Sequence, residues 1–75
     1  MDRAPQTQLD TFRRNLKRLR GAAGFTQERL AEKAGISSRY LQRIEDGTFG
    51  CSLAVLIRLR RALNVSWDTL LRGVR

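Results

Sequence analysis

From Thr26 to Gly47 the chain reads Thr-Gln-Glu-Arg-Leu-Ala-Glu-Lys-Ala-Gly-Ile-Ser-Ser-Arg-Tyr-Leu-Gln-Arg-Ile-Glu-Asp-Gly, and this stretch constrains the fold more than any other. Leu30, Ala31 and Ala34 fall on one face of a first short helix, and Leu41 and Ile44 on one face of a second. Between them Gly35, Ile36 and Ser37 leave room only for a tight turn. Gly35 supplies the left-handed backbone that commonly ends a helix, because it has no Cβ to clash there. Ser37 is a good cap for the next helix, its hydroxyl accepting a backbone N–H that has no helical partner. Ile36 and Leu41 stand at the spacing of a hydrophobic staple across that cap. With the aliphatics turned inward, Ser37, Ser38, Arg39, Gln42 and Arg43 face out. The second helix therefore presents a polar, cationic surface.

Charge says what such a surface can meet. Fifteen Lys and Arg against seven Asp and Glu give the 75-residue chain a formal charge of +8. A small, strongly basic domain fits a polyanion, either nucleic acid or an anionic membrane surface. Seventy-five residues support one small core and one domain, taken here as residues 1–75 with a short loose arm over 1–6. Cys51 is the single cysteine and there is no histidine, so neither a disulfide nor a metal site is expected. The same gaps remove the usual acid–base and nucleophile–base pairs, and no glycine-rich phosphate loop is present. An enzyme is not expected, nor any cofactor or small-molecule ligand. No apolar run is long enough for a membrane span or a secretory leader, so a cytoplasmic protein is expected.

The flanking segments continue the helical pattern. Thr7 and Asp10 have capping-box spacing. Leu9, Phe12, Leu16, Leu19 and Ala23 then recur at helical steps, with Arg13, Arg14, Lys17, Arg18 and Arg20 on the other faces. Gly24 stops this first helix. After Gly47 a short loop, Thr48 to Cys51, leads to Ser52 as the cap of a helix with Leu53, Leu56, Leu59 and Leu63 inward. Asn64 ends it, and Ser66 caps a short last helix through Trp67, Leu70 and Leu71. The expectation is an all-α, compact five-helix chain with no strand.

Laid out this way, the chain resembles the repressor/Cro-type (XRE-like) helix-turn-helix DNA-binding family from about Leu16 to Leu71. The segments that carry the likeness are Thr26-Gln27-Glu28-Arg29-Leu30-Ala31, Ala34-Gly35-Ile36-Ser37, Tyr40-Leu41 through Ile44-Glu45-Asp46-Gly47, and Ser52-Leu53 with Leu56. The resemblance implies a repressor-like DNA-binding fold whose second motif helix, residues 38–46, lies in the DNA major groove. Base reading would then fall to Ser37, Ser38, Arg39, Gln42 and Arg43, with phosphate contact the alternative for both arginines. Gln27, Arg29 and Tyr40 become phosphate candidates, with plain packing equally open for Tyr40. Arg20 and Glu45 would form an ion pair locking the groove-facing helix to its support.

The resemblance further implies a homodimer on a near-palindromic operator in double-stranded DNA, acting as a sequence-specific transcriptional regulator. The start of the fourth helix and the last helix are its expected contact surface, with Trp67, Leu71 and Val74 as candidates. An antitoxin-type or other protein-interaction module with autoregulatory DNA binding is the alternative. So short a chain is expected to lack an effector domain. Some positions depart from the family pattern. Cys51 stands where many relatives carry proline, Arg29 where an acid is commoner, and the loop holding Phe49 has no Lys or Arg.

Overall fold

A computed structural model describes the backbone of residues 4–48 and 50–75. Five helices follow one another: α1 (Ala4–Ala22), α2 (Gln27–Ala34), α3 (Ser38–Asp46), α4 (Leu53–Leu63) and α5 (Trp67–Leu70). Among the described residues there is no strand.

Local chemistry sets most of the helix ends. Thr26, Ser37, Ser52 and Ser66 each accept, through the side-chain hydroxyl, the backbone N–H three residues on. Ser37, Ser52 and Ser66 are caps expected from the sequence, and each of the four satisfies an orphan donor of a first turn. Helices α2, α3 and α4 close in left-handed backbone at Gly35, Gly47 and Asn64 (φ 73°, 86° and 57°). At the end of α3 the Gly47 N–H returns to the Ile44 carbonyl (3.1 Å) and the Thr48 N–H to that of Arg43 (3.0 Å). The chain thus turns away from α3 with the Arg43 and Ile44 carbonyls paired.

The beginning of α1 differs from the sequence expectation. The helix already runs at Ala4, so residues 4–6 are helical rather than a loose arm, and Thr7 falls inside it. Residues 1–3 lie outside the described residues. Pro5 is compatible with this start, because a proline in the first helical turn lacks only an N–H that would have no helical acceptor. Asp10 sits inside α1 and pairs with Arg13 instead of closing a capping box.

The core gathers one face from every helix. Phe12 and Leu16 of α1 meet Leu30, Ala31 and Ala34 of α2, Leu41 and Ile44 of α3, Leu59 and Leu63 of α4, and Leu70 of α5. Ile36 and Val65, the residues before two of the caps, pack on the edge of this cluster. Helix α2 lies against both α3 and α4, while α1 backs α3 on one side and α5 on the other. Three expected core residues stay outside: Leu53 is 70% exposed, and Leu9 and Ala23 are also exposed. Leu53 is the first residue after the Ser52 cap, at the outer end of α4, where its stripe has run past its neighbours.

Asn15 is a buried polar residue in the α1 stripe. Its side-chain amide donates to the carbonyls of Leu70 and Arg72, each at 2.9 Å. One side chain thereby ties α1 to the end of α5 and satisfies two backbone acceptors, of which that of Leu70 is buried.

Candidate nucleic-acid interface

Helix α3 turns Leu41, Ile44 and Glu45 into the protein and the opposite side into solvent. Ser38, Arg39, Gln42 and Arg43 share one open, shallow face with Asp46 and Thr48. Four of the five expected base-reading residues are therefore together. Ser37 stands apart from that face at the cap, where its Oγ accepts the Tyr40 N–H at 3.0 Å. Tyr40 is half-buried against the core.

A buried polar cluster holds α3 in place from behind. The Glu45 residue is 1% exposed, yet its carboxylate is fully engaged. Arg20 donates from Nε to Oε2 (2.8 Å) and from Nη2 to Oε1 (3.0 Å), a bidentate, charge-assisted pair. The Gln27 side-chain amide donates to the same Oε1 at 2.8 Å. Arg20 also donates from Nη1 to the Phe25 carbonyl at 3.0 Å, fixing the turn that leads into α2. One carboxylate on α3 is thus gripped by α1 and by the first residue of α2.

Arg13 adds a second clasp, two helical turns before Arg20. Its Nη1 donates to the Glu45 backbone carbonyl at 3.5 Å, and its Nη2 pairs with Asp10. The guanidinium lies over Gly47, so a cation sits at the C-terminal end of α3, where the helix dipole is negative. The i, i+7 spacing of Arg13 and Arg20 could have pointed to a shared target. Asp46 and Thr48 are the other members of the α3 face missing from the sequence reading; Asp46 follows Gln42 by one helical step of four.

Of the remaining phosphate candidates, Gln27 belongs to the Glu45 cluster and Arg29 does not. Arg29 is exposed and pairs with Glu32 one turn on, at 2.9 Å. Gln27 is only half-buried, and its amide is oriented by Glu45.

The expected dimer residues are distributed over two patches. Trp67 and Leu71 border a shallow depression with Asp68, Arg72 and Gly73. The Arg60 guanidinium carbon lies 5.0 Å from the Trp67 ring centroid, a cation–π arrangement. Leu71 and Val74 also line an apolar groove with Leu9, Phe12, Cys51 and Leu56. In that groove burial pushes the Cys51 thiol above its ordinary pKa, disfavouring the thiolate. Among the described residues no three His, Cys, Asp or Glu side chains are placed to hold a metal ion. No described helix is long and apolar enough to cross a membrane.

Comparison with known proteins agrees with this architecture. The profile of the family described as helix-turn-helix matches residues 16–70, from the middle of α1 to the end of α5. A similar protein is the SPbeta prophage-derived uncharacterized HTH-type transcriptional regulator YonR of Bacillus subtilis, 36% identical over 62 residues. That match covers 83% of this chain and 57% of the relative, so the chain spans little more than half of its length. Another is the uncharacterized HTH-type transcriptional regulator y4dJ of Sinorhizobium fredii, 38% identical over 52 residues, 69% of this chain and 68% of that one. No solved structure gives a significant match. The chain belongs to the helix-turn-helix family of the XRE type, whose matched relatives are named as transcriptional regulators.

Proposed function

We propose that the chain is a sequence-specific DNA-binding regulator that lays α3 in the major groove and works as a homodimer. What supports this reading above all is the pairing of a polar outer face on α3 with a buried brace behind it. Arg39, Gln42 and Arg43 offer the hydrogen-bond groups that suit guanine and adenine edges, where a good bidentate pair discriminates by roughly 1–3 kcal/mol. The Arg20–Glu45–Gln27 cluster fixes the angle at which those groups are presented, so little ordering remains to be done on binding.

Phosphate contacts would fix the register without reading sequence. Gln27 suits this role. It is the first residue of α2, next to N–H groups and a positive dipole end that favour anions. Its second amide hydrogen can turn outward while the first stays on Glu45. Arg29 and Tyr40 would add to this contact from the flanks, and Ser37 from the start of α3.

A second copy supplies the other half-site. Trp67, Leu71 and Val74, joined by the exposed Leu53 at the start of α4, are the apolar surface we assign to that contact. Selection of bound duplexes from a random pool tests the whole reading. The expected product is a near-palindrome with half-site centres about 34 Å apart or a multiple of that. A pool that shows no enrichment would overturn it.

A further inference from the structure

Six carboxylate side chains fall among the described residues, and five have a local electrostatic explanation. Asp10, Glu32 and Glu45 are paired with Arg13, Arg29 and Arg20. Glu28 and Asp68 stand in the first turns of α2 and α5, where the positive end of the helix dipole favours an anion. Asp46 has neither. It is the last residue of α3, at the negative end of the dipole, and no ion pair to it occurs among the described residues. It is exposed, and it shares the outer face of α3 with Arg39, Gln42 and Arg43. An acid there weakens the helix and lowers the positive charge of the very surface that would meet DNA. Its charge is unfavourable for nonspecific binding.

We infer that Asp46 is a specificity-determining residue that demands an amino group, by preference that of cytosine, opposite the last turn of α3. This rests on the reading of α3 as the groove helix. A carboxylate only accepts hydrogen bonds. Most of what the major groove offers is also acceptor: guanine O6 and N7, adenine N7 and thymine O4. The cytosine N4 amino group is a donor without an adjacent acceptor on the same base edge, so it satisfies the carboxylate and the other edges repel it. Helix α3 has nine residues, about 13 Å at 1.5 Å per residue, so its last turn need not leave the groove its first turn enters. Asp46 follows Gln42 by four residues and Arg39 by seven, which puts all three on one strip of the helix. The arginines attract any duplex, and Asp46 makes wrong registers costly.

The test repeats the selection from random duplexes with Asp46→Ala and Asp46→Asn, alongside wild type and Arg39→Ala. Asp46 is exposed, so both variants should keep the helical circular-dichroism spectrum and be at least as stable as wild type. In wild type one position of each half-site should favour cytosine by roughly fivefold or more. Asp46→Ala should erase that single preference, leave the positions that respond to Arg39→Ala intact, and tighten binding to unrelated DNA. Asp46→Asn, whose amide both donates and accepts, should relax or redirect the same position. Unchanged base preferences in both variants would overturn the inference, even if binding to all duplexes tightened evenly. Failure of wild type to select any sequence would instead overturn the groove-helix reading beneath it.

Discussion

Arg20 and Glu45, twenty-five residues apart in the chain, meet through two parallel hydrogen bonds of 2.8 and 3.0 Å that join α1 to α3. The two ends of this pair are not equivalent. The Glu45 side chain is 1% exposed, whereas that of Arg20 is 20% exposed and can reach water. Loss of the arginine strands a buried carboxylate, and loss of the carboxylate releases an arginine that can turn outward. Arg20→Met should therefore cost about 3–5 kcal/mol, the usual range for leaving a buried charge without its partner. Glu45→Ala should cost less, about 1–3 kcal/mol. Urea unfolding of both variants checks the order, and a larger loss in Glu45→Ala would contradict it.

Gly47 and Gly24 separate backbone strain from steric contact. Both have positive φ, 86° and 78°, so alanine at either is strained by roughly 1–2 kcal/mol. A Cβ at Gly24 meets nothing, but at Gly47 it would lie 2.8 Å from Cζ and Nε of Arg13. Arg13 would have to swing away and give up its hold on the Glu45 carbonyl. Gly47→Ala should thus cost more than Gly24→Ala, and pairing it with Arg13→Ala should remove the excess. Thermal unfolding of the single and double variants measures that coupling, and strictly additive losses would count against it.

Asn15 should matter most for the C-terminal end. Replacement by leucine deletes the donors to the Leu70 and Arg72 carbonyls, at a cost of about 1–3 kcal/mol for the unsatisfied buried acceptor of Leu70. Amide hydrogen exchange should quicken in α5 and the residues after it before it changes in α2 and α3. Uniform acceleration across all helices would mean that Asn15 acts only on global stability.

Burial raises the Cys51 pKa, so the folded chain holds the thiol proton more tightly than the unfolded chain does. The stability linked to this proton is fully present below the unfolded thiol pKa and is lost as pH rises through the folded one. Alkylation by iodoacetamide at mildly alkaline pH should be slower than for glutathione and should recover in urea. A rate above that of glutathione would argue for an activated thiolate, contrary to this environment.

How much of this was readable in the residues depended on the range of the chemistry. Thr26, Ser37, Ser52 and Ser66 cap helices through bonds to N–H groups three residues away, so their roles could be read from neighbours alone. Gly35, Gly47 and Asn64 end helices for equally local reasons. At the start of α1 the Thr7 and Asp10 spacing suggests a cap, but the helix already runs from Ala4 through Pro5, which a first turn tolerates. Leu53 keeps the helical step of the α4 stripe but sits beyond the elements that could cover it. Periodicity places a residue on a face without saying how far that face is packed. Asn15, Arg13 and Asp46 depend on what other helices bring near them, or fail to bring. In the site, the spacing of Arg39, Gln42 and Arg43 was sufficient to put them on one surface, whereas the link from Gln27 to Glu45 required the fold.

The central claim is that the outer face of α3 distinguishes one DNA sequence from another. The ratio of dissociation constants for unrelated and selected duplexes, at one fixed salt concentration, tests it most directly. A ratio on the order of 10³ or more is expected for wild type. Arg39→Ala and Gln42→Ala should each lower it by roughly 5- to 150-fold, Gln42→Ala with little change in affinity for the unrelated duplex. Equal weakening on both duplexes, leaving the ratio untouched, would contradict the claim.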